Sequence, residues 1–435
     1  MKREIYAELL NWKDSKHRMP LILRGARQVG KTYILKKFAE ENFKSYIYVN
    51  FEEQKTTKTF FEGNLDPTKI ISNLELHHHT KMEPNTSVII LDEIQECPEA
   101  LTSLKYFNEK VPAYHVIAAG SLLGVKMGQG SGFPVGQVHF LDLYPLSFNE
   151  FLGALGEDPL REALSNITLE TPLPEAIHLT CMDILKTYML VGGLPGVVNA
   201  FLPDQDFMKA REVQDHLLKG YQADFAKHAP PTDAIKILNL WESIPQQLSK
   251  DNKKFMFNVA KSGARAREYE IALRWLIDAG LIISLPNIET PGTPLTVYKS
   301  KTIFKIYMFD TGLLGALSKL DPKILTEPNG VFTTFKGAFT ENYVLQALTT
   351  CGKSNLAYWT SSGQAEVDFI YEHEGHNYPL EVKSATEKRK KSLKVYADKY
   401  HPDFLSRTSS RNLKRDNDIV NYPLYLVSTF PDLAL

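Results

Sequence analysis

The chain is organised around the stretch LILRGARQVGKT, which runs from Leu21 to Thr32. Its apolar start, Leu21–Leu23, predicts a short buried strand, and the residues from Tyr33 to Glu40 predict the helix that follows. Between them lies the pattern G-x-x-x-x-G-K-T, whose glycines let the backbone curl so that its amides point at phosphate groups. A turn that matches the pattern by chance is the alternative. The flanking strand and helix favour a phosphate-binding loop.

This loop predicts an ATP site with Mg²⁺ as cofactor. Lys31 is expected to reach the β- and γ-phosphates, and the Thr32 hydroxyl is expected to bind Mg²⁺. The residues expected to surround the phosphates are those of the pattern: Gly25, Ala26, Arg27, Gln28, Val29, Gly30, Lys31 and Thr32.

The composition is that of a globular protein. At about 150 residues per domain, 435 residues predict about three domains. Lysine and arginine number 50 against 51 aspartates and glutamates, so any nucleic-acid surface must be a local patch. The three cysteines lie far apart, which argues against disulfides and structural zinc. No stretch approaches the roughly 18 apolar residues of a membrane span, and we expect a cytoplasmic protein that does not contact membranes.

A second motif, SVIILDE from Ser87 to Glu93, places two carboxylates at the end of another buried strand. Asp92 is expected to hold Mg²⁺ together with Thr32, and Glu93 to orient the attacking water. Ser121 follows a further buried strand and is expected to sense the γ-phosphate. The alternatives are an acidic turn after a strand and a common glycine-serine turn.

These motifs, together with LYPLSFNEF from Leu143, resemble one family: bacterial and archaeal AAA+-like ATPases that carry a C-terminal domain of unknown function. The resemblance covers nearly the whole chain and implies an AAA+-like α/β domain with a parallel sheet. Many relatives have Gly-Arg where this chain has Gly136-Gln137. If that arginine assists hydrolysis, this chain must supply another one or hydrolyse ATP slowly.

The middle of the chain predicts helices followed by a winged-helix-like region. The turn from Gly192 to Pro195 resembles a family motif and suggests a hinge or lid. A pattern of helix, Gly280 and short strand follows. Four basic residues in and before that helix are expected to contact DNA phosphates: Lys253, Lys254, Arg265 and Arg267. A solvated helical face and a protein-binding surface are the alternatives.

The last hundred residues predict a site built from carboxylates and a lysine. Glu381 and Lys383 are two apart in a predicted strand and share a face, and a hairpin brings Asp368 beside Glu381. Glu341, on the preceding helix, is expected to complete a site for a second divalent ion, Mg²⁺ or Mn²⁺. Lys383 is expected to position or activate a water. Glu366 is a rival ligand.

This order of residues resembles the motif of PD-(D/E)xK nucleases, which have the restriction-endonuclease-like fold. The motif is short, and the alternatives are a salt-bridged surface hairpin and an inactive nuclease fold kept for binding. The predicted organisation is an AAA+-like ATPase domain over residues 1–155, a helical lid and winged-helix-like domain over 156–326, and a nuclease-like α/β domain over 327–435. A polar, proline-containing segment and the linker Glu327–Gly330 suggest these boundaries.

The sequence therefore predicts a Mg²⁺-dependent ATP hydrolase that acts on DNA and carries a nuclease-like domain. One rival is an ATP-dependent switch that binds a protein partner and has an inactive nuclease-like domain. Another is a P-loop kinase, against which Glu93 argues by providing for water as the acceptor. An oligomer is compatible with each of these readings.

Overall fold

The structure is a computed structural model of the chain, and it describes residues 1–121, 133–250, 253–326, 337–361, 365–383 and 391–435. The described residues form two compact units. The N-terminal unit comprises Met1–Tyr144 and Asp278–Gly280. The C-terminal unit comprises Pro145–Ile277 and Leu281–Leu435.

The N-terminal unit is an α/β fold built on a parallel sheet of five strands in the order β2-β3-β4-β1-β5. The strands are β1 Leu21–Arg24, β2 Ser45–Asn50, β3 Ser87–Asp92, β4 His115–Gly120 and β5 His139–Asp142. The helices are α1 Ile5–Asp14, α2 Lys31–Asn42, α3 Pro67–His78 and α4 Pro98–Lys110. Strands β3 and β4 are buried throughout, as apolar runs in a parallel sheet require.

The strand order explains where the site forms. Strand β1 lies between β4 and β5, although β2 follows it in the chain. Ligands of open α/β sheets bind outside the carboxyl ends of the strands. The ends of β1, β4 and β3 are neighbours, so Arg24, Gly120 and Asp92 finish at one edge.

The C-terminal unit begins with helices. They are α5 Phe148–Leu155, α6 Asp158–Ser165, α7 Glu175–Val191, α8 Pro195–Phe201, α9 Phe207–His228, α10 Pro231–Leu248, the short α11 Phe257–Ala260, α12 Ala266–Asp278 and α13 Thr311–Leu317. Helix α5 starts with a capping box: the Ser147 hydroxyl accepts from the Glu150 amide at 3.1 Å, and the Glu150 carboxylate accepts from the Ser147 amide at 3.0 Å. This cap explains the serine and glutamate of the LYPLSFNEF motif.

The glycine pair after α7 is a tightly packed turn. A Cβ on Gly192 would lie 2.2 Å from Asp310 Oδ1, and one on Gly193 would lie 2.3 Å from Leu146 O. The Gly193 amide donates to Asp310 Oδ2 at 2.7 Å, and the Leu313 amide donates to Asp310 Oδ1 at 3.0 Å at the start of α13. Burial raises the pKa of Asp310 to about 6. Close contacts thus pack this turn tightly, and its role as a hinge or lid stays a prediction.

The rest of the C-terminal unit is organised by a mixed sheet of eight strands in the order β12-β13-β11-β10-β9-β8-β6-β7. The strands are β6 Ile282–Ile288, β7 Phe304–Met308, β8 Leu356–Thr360, β9 Glu366–His373, β10 His376–Lys383, β11 Leu405–Ser409, β12 Lys414–Asp416 and β13 Ile419–Pro423. Helices α14, Ala338–Thr350, and α15, Lys391–Tyr400, belong to the same unit.

Strand β6 pairs in parallel with β8, so strands on either side of residue 326 share one sheet. The linker expected at Glu327–Gly330 lies outside the described residues, and the boundaries at 155 and 326 stay predictions. Among the described residues, no single helix has the length and apolar character to cross a membrane. The pair α7 and α8 meets that test only when joined across a 119° bend.

Candidate functional site

The phosphate-binding loop connects β1 to α2 and has the backbone that its glycines allow. Gly25 has φ 154° and Gly30 has φ 97°, both in the region that favours glycine. A Cβ on Gly25 would lie 2.2 Å from Leu143 O, so a larger residue there would displace the chain. The loop ends where α2 begins, at Lys31, with the helix N-terminus directed at the position where phosphates bind in such loops.

Lys31 is buried, and its side chain folds back onto the phosphate-binding loop. Its Nζ donates to Gly25 O at 2.9 Å and to Ala26 O at 2.8 Å. Burial lowers the pKa of Lys31 to about 8, although Glu93 and Asp92 oppose that shift. Phosphates that replace the two carbonyls would give the ammonium group a stronger, charged partner.

The predicted Mg²⁺ residues lie in contact. Thr32 Oγ1 donates to Asp92 Oδ2 at 2.6 Å. The second carboxylate oxygen, Oδ1, accepts from the Glu93 amide at 2.9 Å. Tyr48, which was not predicted from the sequence, also donates to Asp92 Oδ2, at 2.9 Å. Its only sequence signal is its place in β2, the neighbour of β3.

Glu93 and Ser121 are also brought together. Glu93 has a left-handed backbone, φ 50° and ψ 45°, which turns the chain sharply at the end of β3. Its Oε2 accepts from Ser121 Oγ at 3.2 Å and from the side-chain Nε2 of Gln95, a second residue that was not predicted from the sequence. Arg27 Nε donates to Ser121 Oγ at 3.3 Å and so links this group to the loop.

These residues fit ATP and Mg²⁺. A buried lysine, a curled loop at a helix N-terminus and a Thr32–Asp92 oxygen pair are the groups that such ligands require. Gln137 accepts a hydrogen bond from Asn108 of α4.

In the C-terminal unit, three predicted residues lie close together on β9 and β10. The paired register of the two strands ends with Leu380 and Phe369, and Glu381 and Asp368 are the next residue of each strand. The Val382 amide donates to Asp368 Oδ2 at 2.7 Å. Lys383 Nζ lies 2.9 Å from Glu381 Oε1, as expected for residues that share a strand face.

Glu341 on α14 is buried and surrounded by lysines. It is ion-paired with Lys253 and accepts from the Tyr307 hydroxyl at 3.2 Å. Lys305 Nζ lies 3.9 Å from Glu341, 2.5 Å from Glu366 Oε1 and 4.6 Å from the centre of the Tyr358 ring. The Lys305 side chain is 0% exposed.

The charges in this cluster shift one another's pKa values. Burial raises the pKa of Asp368 to about 7, and Glu341 adds to that shift. Burial works against the charged form of Lys305, but Glu341, Glu366 and Asp368 outweigh it and raise the pKa of Lys305. Burial likewise opposes ionisation of Glu341, and Lys253 and Lys305 reverse the effect and lower its pKa.

The arrangement does not match a divalent metal site. Within the described ranges, no group of three or more histidine, cysteine, aspartate or glutamate side chains could hold a metal ion. The ammonium groups of Lys253 and Lys305 neutralise the carboxylates instead. The metal roles of Glu341, Asp368 and Glu381 therefore stay predictions.

The four predicted DNA contacts are placed differently from one another. Lys253 is bound to Glu341, whereas Lys254, Arg265 and Arg267 are exposed. Lys305 and Tyr307 were not predicted from the sequence. Their spacing of two along β7 places them on one face of the strand, but such alternation does not say what that face meets.

Comparison with known families divides the chain into three segments. Residues 17–152 match the model of an AAA domain. Residues 182–324 and 336–426 match two domains of unknown function, DUF8612 and DUF4143.

Two mycobacterial relatives carry no functional description. They are the uncharacterized proteins Rv2008c of Mycobacterium tuberculosis and Mb2031c of Mycobacterium bovis, each 24% identical over 373 residues, which is 84% of this chain and 71% of the relative.

Similar solved structures include the Walker-type ATPase PABY2304 of Pyrococcus abyssi, with TM-score 0.46, 17% identity and coverage of 73% of this chain and 95% of that one. The Aeropyrum pernix ORC1 protein in complex with DNA has TM-score 0.33 and 12% identity, covering 74% of this chain and 93% of that one. The AAA domain match and the site geometry confirm the predicted AAA+-like fold: residues 17–152 form an AAA-type P-loop domain.

Proposed function

We propose that the chain is a Mg²⁺-dependent ATPase. The observation that carries this proposal is the contact of Thr32 with Asp92 directly beside Glu93 and the loop lysine. The loop amides and Lys31 bind the phosphates, and Thr32 and Asp92 hold Mg²⁺, which neutralises phosphate charge when bound. Glu93 then orients the water that attacks the γ-phosphate.

The hydrogen bonds around Glu93 support that role. Ser121 and Gln95 both donate to its carboxylate and limit its rotation. Because phosphoryl transfer depends mainly on positioning and charge, an oriented carboxylate is the group that hydrolysis needs.

Phosphate release from ATP tests the proposal. The wild-type protein should release phosphate only with a divalent ion, and Lys31→Ala should abolish both nucleotide binding and release. Transfer of the γ-phosphate to an acceptor without phosphate release would show a kinase and refute it.

We further propose that DNA is the partner of the C-terminal unit. A helix–hairpin arrangement, α10 to α12 followed by β6 and β7, supports a winged-helix-like domain, and Lys254, Arg265 and Arg267 are exposed beside it. A triple change of these residues to glutamate should weaken DNA binding and flatten its salt dependence. Unchanged binding would favour a protein partner.

A second candidate function, phosphodiester cleavage, is favoured by the places of Asp368 and Glu381 next to the end of the paired register and by the Lys383–Glu381 contact. Cleavage with Mg²⁺ or Mn²⁺ that is lost in Lys383→Ala while ATP hydrolysis persists would support a nuclease. No cleavage of any DNA or RNA by the wild-type protein would favour the ATP-dependent switch.

A further inference from the structure

Arg27 is the arginine that the structure places against the group around Glu93. The N-terminal unit contains four arginines. Arg3 and Arg18 donate to backbone carbonyls, and Arg24 is ion-paired with a carboxylate at the end of β5. Arg27 lies in the phosphate-binding loop, and its Nε donates to the hydroxyl of Ser121 at 3.3 Å. A guanidinium group of the loop is therefore built into the site.

The two hydrogen bonds of the Ser121 hydroxyl have a defined direction. A guanidinium group can only donate and a carboxylate can only accept. Ser121 Oγ therefore accepts from Arg27 and gives its one proton to Glu93 Oε2, which lies 3.2 Å away. The serine is 4% exposed. Arg27 thus occupies the acceptor side of the hydroxyl and leaves its proton for Glu93.

We propose that Arg27 is a positioning residue for ATP hydrolysis: through Ser121 it fixes the Glu93 carboxylate in the orientation in which that group directs the attacking water. The proposal deepens the ATPase function proposed above and rests on it. Because Arg27 belongs to the phosphate-binding loop, the same contact ties the conformation of the loop to that of Glu93.

The charge of Arg27 strengthens this chain of hydrogen bonds. A cation at one end polarises the Ser121 hydroxyl, which then donates more strongly to the Glu93 carboxylate. The same charge is felt at Lys31. Burial is the main cause of the lowered pKa of Lys31, and Arg27 adds to it against the opposing effects of Glu93 and Asp92. The Arg27 side chain is therefore part of the charge distribution of the site.

A second donor limits the size of the expected effect. Gln95 Nε2 donates to the same oxygen of Glu93 as Ser121 does, so two hydrogen bonds oppose rotation of the carboxylate. Loss of Arg27 weakens one of them and leaves the other in place. We therefore expect a partial loss of the contribution of Glu93, about tenfold or somewhat more in rate.

Phosphate release from ATP by the full-length protein, measured with Mg²⁺, tests the proposal. Arg27→Met should lower kcat at least about tenfold, whereas the dissociation constant of a non-hydrolysable ATP analogue should change less than about threefold, because the loop amides and Lys31 remain. Arg27→Lys keeps a cationic donor and should retain more of kcat than Arg27→Met. The matched control is Arg18→Met, which removes an arginine that donates to the carbonyls of Lys13 and Pro112 and should keep the wild-type kcat.

A double-mutant cycle shows whether Arg27 acts through Ser121. Ser121→Ala should slow hydrolysis about as much as Arg27→Met does. The double variant Arg27→Met/Ser121→Ala should be no slower than Ser121→Ala alone, because the hydroxyl that Arg27 orients is already gone. A purely structural role of Arg27 would instead multiply the two losses.

Two results would overturn the proposal and leave the ATPase function intact. One is a folded Arg27→Met protein with the kcat of wild type. The other is a double variant in which the two losses multiply. If Arg27→Met does not fold, Arg27→Lys takes its place in the same cycle. Wild-type protein that releases no phosphate with any divalent ion would refute the ATPase function itself, and the role of Arg27 with it.

Discussion

The acidic sites of the two units differ in the groups that surround their carboxylates. In the N-terminal unit, Asp92 accepts hydrogen bonds from Thr32 and Tyr48, which are neutral donors. In the C-terminal unit, Glu341 is paired with Lys253 and lies near Lys305. The difference teaches that carboxylates at strand ends do not by themselves identify a metal site, because the neighbouring cations decide what the site accepts.

The largest effect is expected at Glu93. Glu93→Gln should slow ATP hydrolysis by about 10²–10⁴-fold, because the amide cannot orient and polarise water as the carboxylate does. ATP binding, followed by fluorescence of a nucleotide analogue, should persist. Glu99→Gln, an exposed change nearby, is the matched control, and equal rates for the two variants would refute the role of Glu93.

The next largest effect is expected at Lys305, the buried lysine beside Glu341 and Glu366 in the C-terminal unit. Lys305→Met should lower the free energy of unfolding by about 3–5 kcal/mol, because it leaves Glu366 and Glu341 with less compensation. Denaturant unfolding measures this. The exposed neighbour Lys301→Met should change stability little. A Lys305→Met protein as stable as Lys301→Met would show that the cluster does not depend on Lys305.

A smaller effect should report how tightly the turn that binds Asp310 is packed. Gly193→Ala should cost about 1–3 kcal/mol of stability, because its Cβ would lie 2.3 Å from Leu146 O. Gly220→Ala is the control: it lies inside α9 with no atom within 4 Å of the added Cβ, and should be neutral or stabilising. Thermal unfolding of both variants compares them, and equal transitions would contradict the close contact.

The smallest expected effect is the uptake of a proton by Lys31 when ATP binds. Burial lowers the pKa of Lys31 to about 8, so near pH 8 about half of this lysine is uncharged. Bound phosphates favour the charged form, and ATP binding should therefore take up about half a proton at that pH, and less at lower pH.

Calorimetry in buffers of different ionisation enthalpy measures this proton. Without ATP, the lowered pKa of Lys31 also determines the direction in which stability changes with pH. A lysine whose folded pKa is lowered makes the protein more stable as pH rises from about 8 towards 10.5. Lys31→Met should remove the pH dependence of stability, and an unchanged dependence would exclude Lys31 as its source.

Local patterns were enough for the N-terminal site. The spacing of Gly25, Gly30 and Lys31 and the buried run that ends in Asp92 are properties of short segments, and such segments impose their own backbone. Parallel strands then bring these ends to one edge. Tyr48 and Gln95 were not predicted as site residues because a tyrosine in a strand and a glutamine in a turn have many other roles.

The carboxylate cluster of the C-terminal unit depends on contacts that local sequence patterns do not predict. Alternation along β10 places Glu381 and Lys383 on one face, and the hairpin with β9 brings Asp368 next to the end of that strand, where it accepts from the Val382 amide. Lys253, however, reaches Glu341 across 88 residues of sequence. Nothing in a run of basic residues says which one is buried against a carboxylate.

The amino-acid sequence is thus sufficient for the phosphate-binding loop, its acidic partners and the AAA-type fold, because each rests on glycine spacing and apolar runs within a few residues. The pairing of β6 with β8 and the lysines around Glu341 come from contacts between distant segments. Such contacts depend on how whole elements pack, and burial then fixes whether a charged side chain meets water, a metal ion or another side chain.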